Sequence, residues 1–217
     1  MKDRSIESLL ERFPTDGTED TGFRRQLYRL TTVEERVRYA EETALREPGE
    51  RTERNLLILL QDRSPLVQAE VADSLCQYCS ERVFRALMEK ADSEYSLVRA
   101  YAMRSLGEAA PEQCRMEAIR FLEDRLATEE TAFVKIQILL SLCTLGVDGF
   151  SALFGMYPRC GYRNRCAILN GLSDLAEDGR IPDQNKVKRF FDMCKMSEED
   201  AAVRSAGHRL RVALAGK

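Results

Sequence analysis

One apolar spacing recurs five times along this chain, and nothing else in the sequence constrains the fold as tightly. Aligned on its first residue, it reads Val67, Val71, Leu75, then Val98, Ala102, Leu106, then Val134, Ile138, Leu142. A weaker copy has Asn164, Ile168 and Leu172, and a last one has Val203, Gly207 and Leu210, its leucine one place early. Residues four apart share one face of a helix, so each copy predicts an amphipathic helix. The anchors stand at 67, 98, 134, 164 and 203, giving intervals of 31, 36, 30 and 39. Drift of that size fits helical repeats joined by loops of variable length, whereas a coiled coil needs an unbroken heptad.

Each anchor helix follows another apolar helical segment, at 51–61, 80–90, 112–127, 147–156 and 183–196. The repeating unit is therefore a helix pair. A single pair cannot bury its apolar face, so neighbouring pairs must stack. No segment alternates as a strand would.

An acidic or polar turn precedes the anchors (Asp62, Asp92, Glu129, Glu198), and a polar or basic residue follows them (Gln68, Arg99, Lys135, Arg165, Arg204). With the anchor valines, this pattern resembles the HEAT-repeat family over about 50–214, most closely over 62–107. The resemblance implies an all-α, right-handed α-solenoid of five to six helical hairpins. It also implies that the basic residues after the anchors contact acids of the inter-helix turns in a ladder.

Residues 1–50 lack the repeat and are expected to form a helical cap or degenerate first repeat ahead of one continuous array at 51–214. Helices are expected at 5–13 and about 21–30, around a turn-rich loop at 14–20. Thr32 with Glu35 predicts a capping box for a helix running to about 46, stopped by Pro48-Gly49. Ser64-Pro65 predicts a serine N-cap. Gly107 with Pro111, Gly146 with Gly149, and Asp178-Gly179 mark expected helix ends.

The chemistry-bearing residues do not form a catalytic or metal-binding pattern. Cys76 and Cys79 form a CxxC, but at the C-terminal end of the 65–79 helix, where the dipole does not acidify a thiol. Cys76 shares its repeat position with Gly107, Cys143 and Ser173, all small, which predicts a close helix contact. Cys160 and Cys166 have no second close Cys or His pair to complete a zinc site. His208 is the one histidine of the chain, so the paired His-Glu motifs of HEAT-like metal hydroxylases are absent. There is no P-loop, dinucleotide fingerprint or HExxH. No cofactor, metal or catalytic residue is expected.

The chain carries 33 basic and 36 acidic residues, a net charge of −3, which argues against a general nucleic-acid binder. HEAT-like DNA glycosylases rely on tryptophan and a basic face, and this chain has no tryptophan. The alternative reading, a nucleic-acid module or relative of those enzymes, would use the arginine-rich C-terminal half. No stretch is apolar enough to span a membrane. Seven cysteines without an export signal predict a reduced, cytoplasmic setting.

In HEAT arrays the second helix of each pair lines the concave side. Positions three, six and ten after each anchor point away from the core face. Tyrosine and arginine are favoured at interface hot spots. The expected protein- or peptide-binding residues are therefore Tyr101 and Arg104, with Gln137, Asn170 and Arg209 as neighbours.

Overall fold

The computed structural model describes residues 29–45, 47–195 and 200–216. The helix expected at 5–13, the loop at 14–20, nearly all of the helix at 21–30, and the turn residue Glu198 lie outside them. The described residues form α-helices and short 3₁₀ turns, with no strand among them. The helices are α1 (Val33–Ala44), α2 (Glu50–Leu59), α3 (Pro65–Ser74), α4 (Glu81–Lys90), α5 (Ser96–Ala109) and α6 (Arg115–Thr128). They continue as α7 (Ala132–Thr144), α8 (Phe150–Met156), α9 (Tyr162–Glu177), α10 (Gln184–Lys195) and α11 (Ala201–Ala215). Two compact units divide the chain, residues 1–118 and 119–217.

In the first unit, α2 packs on α3 and α4 on α5, as hairpins. The second helices stack in series, α1 on α3 and α3 on α5, so α1 stands to α3 as α3 stands to α5. The anchor face makes this stack: Val67, Val71, Leu75, Val98, Ala102 and Leu106 are all fully buried. In the second unit α7 packs on α9, α9 on α11, and α10 on α11. Its core joins Ile168, Leu172, Val203 and Leu210 of the anchor series to Phe150, Leu153, Tyr157 and Phe190. Repetition of one buried face is the packing logic of an α-solenoid.

Local signals set most helix ends. Thr32 and Glu35 close the expected capping box: the Thr32 hydroxyl accepts from the Glu35 N–H at 3.2 Å, and the Glu35 carboxylate accepts from the Thr32 N–H at 3.1 Å. The backbone N–H groups of Thr32 and then Thr31 hold the Glu35 carboxyl below the usual range. Gly146 and Gly179, with φ of 81° and 73°, occupy the left-handed region that ends a helix without a Cβ penalty. Beyond them the Val147 N–H reaches the Leu142 carbonyl at 2.9 Å, and the Arg180 N–H reaches that of Leu175 at 2.8 Å. This is the Schellman arrangement at both ends.

Two local expectations are corrected. Ser64 stands at the N-cap of α3 but its side chain does not cap; instead its N–H donates to Asp62 Oδ1 at 2.8 Å. Helix α5 runs two residues past Gly107 to Ala109, because Pro111 is what forces Ala110 out of the helical region, to ψ 115°. Helix α1, though dense in charged residues, is not wholly solvated. Arg36 is only 1% exposed, its guanidinium held by the equally buried Asp62.

Candidate functional site

The expected binding residues lie on second helices, but their surroundings differ. On α5, Tyr101 and Arg104 are half-buried and about one turn apart. Burial first, then the nearby carboxylates of Asp73 and Glu70 on α3, push the Tyr101 hydroxyl above its ordinary pKa. The Glu70 carboxyl is also pushed up, by burial and then by Asp73 and Glu41. The face shared by α1, α3 and α5 thus combines an aromatic ring and a guanidinium with crowded carboxylates. Gln77 ties α1 to this face, its amide donating to the Ala44 carbonyl at 2.6 Å.

In the second unit the three residues behave differently from one another. Gln137 is only 8% exposed, so it faces the packing of α7 rather than a partner. Asn170 on α9 is exposed. Arg209 on α11 is exposed but engaged, its guanidinium donating to Asp174 Oδ1 at 2.7 Å and Glu177 Oε2 at 3.0 Å.

Of the residues that follow the anchors, Gln68 and Arg99 donate to backbone carbonyls of the preceding turns. Gln68 donates to the Asp62 carbonyl at 2.5 Å. Arg99 donates to the carbonyls of Ser93 and Glu94 at 2.9 and 3.2 Å. Arg165 instead lies over the Tyr157 ring, 5.6 Å from its centroid. A turn carbonyl accepts from an amide or a guanidinium alike, so a donor is useful there whatever its charge.

The small-residue position holds in part. Gly107, Cys143 and Ser173 are buried, whereas Cys76 is partly exposed and lies in a 3₁₀ turn, Leu75–Gln77. Its thiol is pushed up to about 11, by burial and then by Asp73 and Glu108. All seven cysteines are free. Among the described residues, no group of three His, Cys, Asp or Glu side chains could hold a metal ion. No helix among them is long and apolar enough to cross a membrane.

Two clefts in the second unit were not anticipated from the second-helix faces. The larger, about 710 Å³, opens between α8, the 3₁₀ turn Tyr157–Arg159 and α10. Its floor is aromatic: Phe154 stacks on Phe190 with centroids 4.0 Å apart, and Tyr157 meets Phe190 edge-on at 5.3 Å. Arg165, Lys186 and Arg189 stand around it. A smaller cleft of about 310 Å³, which shares Tyr157 and Cys194 with the first, is bordered by Arg204, His208 and Arg211. Gly207 allows that second hollow, since a Cβ there would sit 2.7 Å from the Phe191 ring.

Residues 52–143 match the family model for HEAT repeats. Over this stretch the chain carries HEAT repeats. The matched stretch begins in α2 and ends in α7, and so takes in the three copies anchored on Val67, Val98 and Val134. No curated protein matches the chain. HEAT repeats commonly mediate protein interaction.

Proposed function

We propose that this protein is a non-catalytic, cytoplasmic scaffold that binds a protein or peptide through its second-helix face. The observation that carries the reading is the Tyr101–Arg104 pair on α5, inside the matched repeats. Both side chains are half-buried, and Tyr101 lies beside the carboxylates of Asp73 and Glu70 on α3. A partly desolvated tyrosine next to an arginine has little rotamer freedom left to lose on association, which is what an interface anchor needs. Crowded carboxylates beside it favour a partner that brings a cation to them.

The test is affinity capture from native lysate, with bound protein and nucleic acid both identified, comparing the natural chain with Tyr101→Ala combined with Arg104→Ala. A specific protein retained by the first and lost by the second, at matched folded content, supports the reading. Retention of the same protein by both rejects this face. Enrichment of nucleic acid without protein replaces the scaffold with a nucleic-acid module.

A further inference from the structure

We propose that the larger cleft of the second unit is a separate docking site for an acidic peptide segment that carries one aromatic or aliphatic anchor. The inference rests on the binding-scaffold reading but names a different surface, built mainly by the first helices α8 and α10 and a 3₁₀ turn, with Arg165 joining from α9.

Three features define what fits. The floor is apolar, made by the stacked rings of Phe154 and Phe190 with the edge of Tyr157. Met193, 70% exposed, extends that apolar surface outward along α10. The charged side chains that line the cleft are Arg165, Lys186 and Arg189, and no carboxylate lines it among the described residues. Arg189 is exposed and forms no ion pair with a described residue. Lys186 donates to Ser151 Oγ at 2.9 Å and lies 3.7 Å from Asp148 Oδ2, which does not line the cleft. A hollow with an apolar bottom and a cationic rim is complementary to a side chain that is apolar, in a segment that is negative.

The same cations could attract a polyanion of another kind, but the cleft suits a peptide better. Nucleic-acid affinity is accumulated over many phosphates along an extended basic track. Here three cations surround one hollow of about 710 Å³ on a chain of net charge −3. Phe190 and Tyr157 are also almost fully covered, which leaves little ring face for a base to stack on.

The experiment uses the full chain and a fluorescein-labelled, glutamate-rich peptide with a single phenylalanine, read by anisotropy. Competitors are the same peptide with alanine for phenylalanine, a lysine-rich counterpart, and a single-stranded DNA oligonucleotide. Saturable binding is expected, weakened about tenfold or more by Arg189→Glu and several-fold by loss of the phenylalanine, with little competition from the lysine-rich peptide. Met193→Glu places a carboxylate at the same surface and is expected to weaken binding likewise, so the result does not depend on one variant folding. Thermal unfolding of each variant is the control. Undiminished binding by Arg189→Glu and Met193→Glu overturns the location. Absence of binding, or equal affinity for the phenylalanine-free peptide, overturns the anchored-peptide chemistry. Tighter binding of the oligonucleotide, lost in the same variants, replaces the peptide by nucleic acid. Tyr101→Ala with Arg104→Ala is expected to leave this peptide's affinity unchanged, which separates failure of the cleft from failure of the second-helix face.

Discussion

Arg36 and Asp62, 26 residues apart, meet in a two-pronged buried ion pair: Nε lies 2.8 Å from Oδ2, and Nη2 donates to Oδ1 at 3.4 Å. Asp62 Oδ1 also accepts from the Ser64 N–H. One carboxylate therefore fixes the start of α3 and joins the α2–α3 turn to α1. Removing either partner of a buried pair strands the other charge in a low-dielectric site. Arg36→Ala is expected to lower the unfolding free energy by about 3–5 kcal/mol, measured by urea denaturation. Arg36→Met with Asp62→Asn, which removes both charges and retains an acceptor for Ser64, is expected to recover much of that loss. A loss below about 1 kcal/mol for Arg36→Ala would place the pair among solvent-screened surface pairs.

Two glycines of the same hairpin give opposite expectations. A Cβ on Gly149 would lie 2.7 Å from the Leu139 carbonyl oxygen, a backbone atom that cannot swing aside. Gly149→Ala is therefore expected to destabilise by about 1–3 kcal/mol. A Cβ on Gly155, within α8, meets nothing within 4 Å. Gly155→Ala is expected to stabilise by about 0.5–1 kcal/mol, by restricting the unfolded chain and favouring helix. Thermal midpoints moving in the same direction for both would refute this account of their surroundings.

The parts legible in the sequence were those written in local patterns. The anchor spacing placed the buried face of α3, α5, α7, α9 and α11, and the Thr32–Glu35 and Asp178-Gly179 signals set helix ends within a residue or two. Long-range pairing was not legible. Arg36 sits among charged neighbours on α1, and nothing within a turn of it reveals that it is covered by α3 and the α2–α3 turn. The burial of Gln137 was missed for a related reason. Helix α7 is covered around more of its circumference than the anchor stripe implies, since Leu139 and Leu140 are buried as well as Ile138 and Leu142. The basic cleft escaped because its cations come from separate helices, Lys186 and Arg189 from α10 and Arg165 from α9, around rings supplied by α8 and α10.

The two cysteines of the CxxC are expected to react very differently. At a pKa of about 11, the Cys76 thiolate is roughly one part in a thousand of the thiol at pH 8. Cys79 is exposed. Brief treatment with iodoacetamide at pH 8, followed by peptide mass spectrometry, is expected to label Cys79 and spare Cys76. The sign for stability follows from the same shift. The unfolded chain loses this proton first, so Cys76 contributes stability below about pH 9 that is lost as the pH rises through about 11. Equal labelling of both thiols would contradict the desolvation that raises Cys76.

Arg209 bridges Asp174 and Glu177 of α9 from α11, but all three side chains are between 41% and 49% exposed. Solvent screens such a cluster, so Arg209→Ala is expected to lower the unfolding free energy by less than about 1 kcal/mol at low salt. The loss should shrink further at high ionic strength. A double-mutant cycle of Arg209→Ala with Glu177→Ala, run at both salt concentrations, checks this. A coupling that is large and salt-independent would mean that the bridge is desolvated, and that α9 and α11 are held by charge as well as by the apolar contact of Leu169, Leu172 and Leu210. A small, salt-sensitive coupling leaves the apolar face as the principal tie. Arg209 could then leave its two carboxylates for a partner's at little cost to the fold.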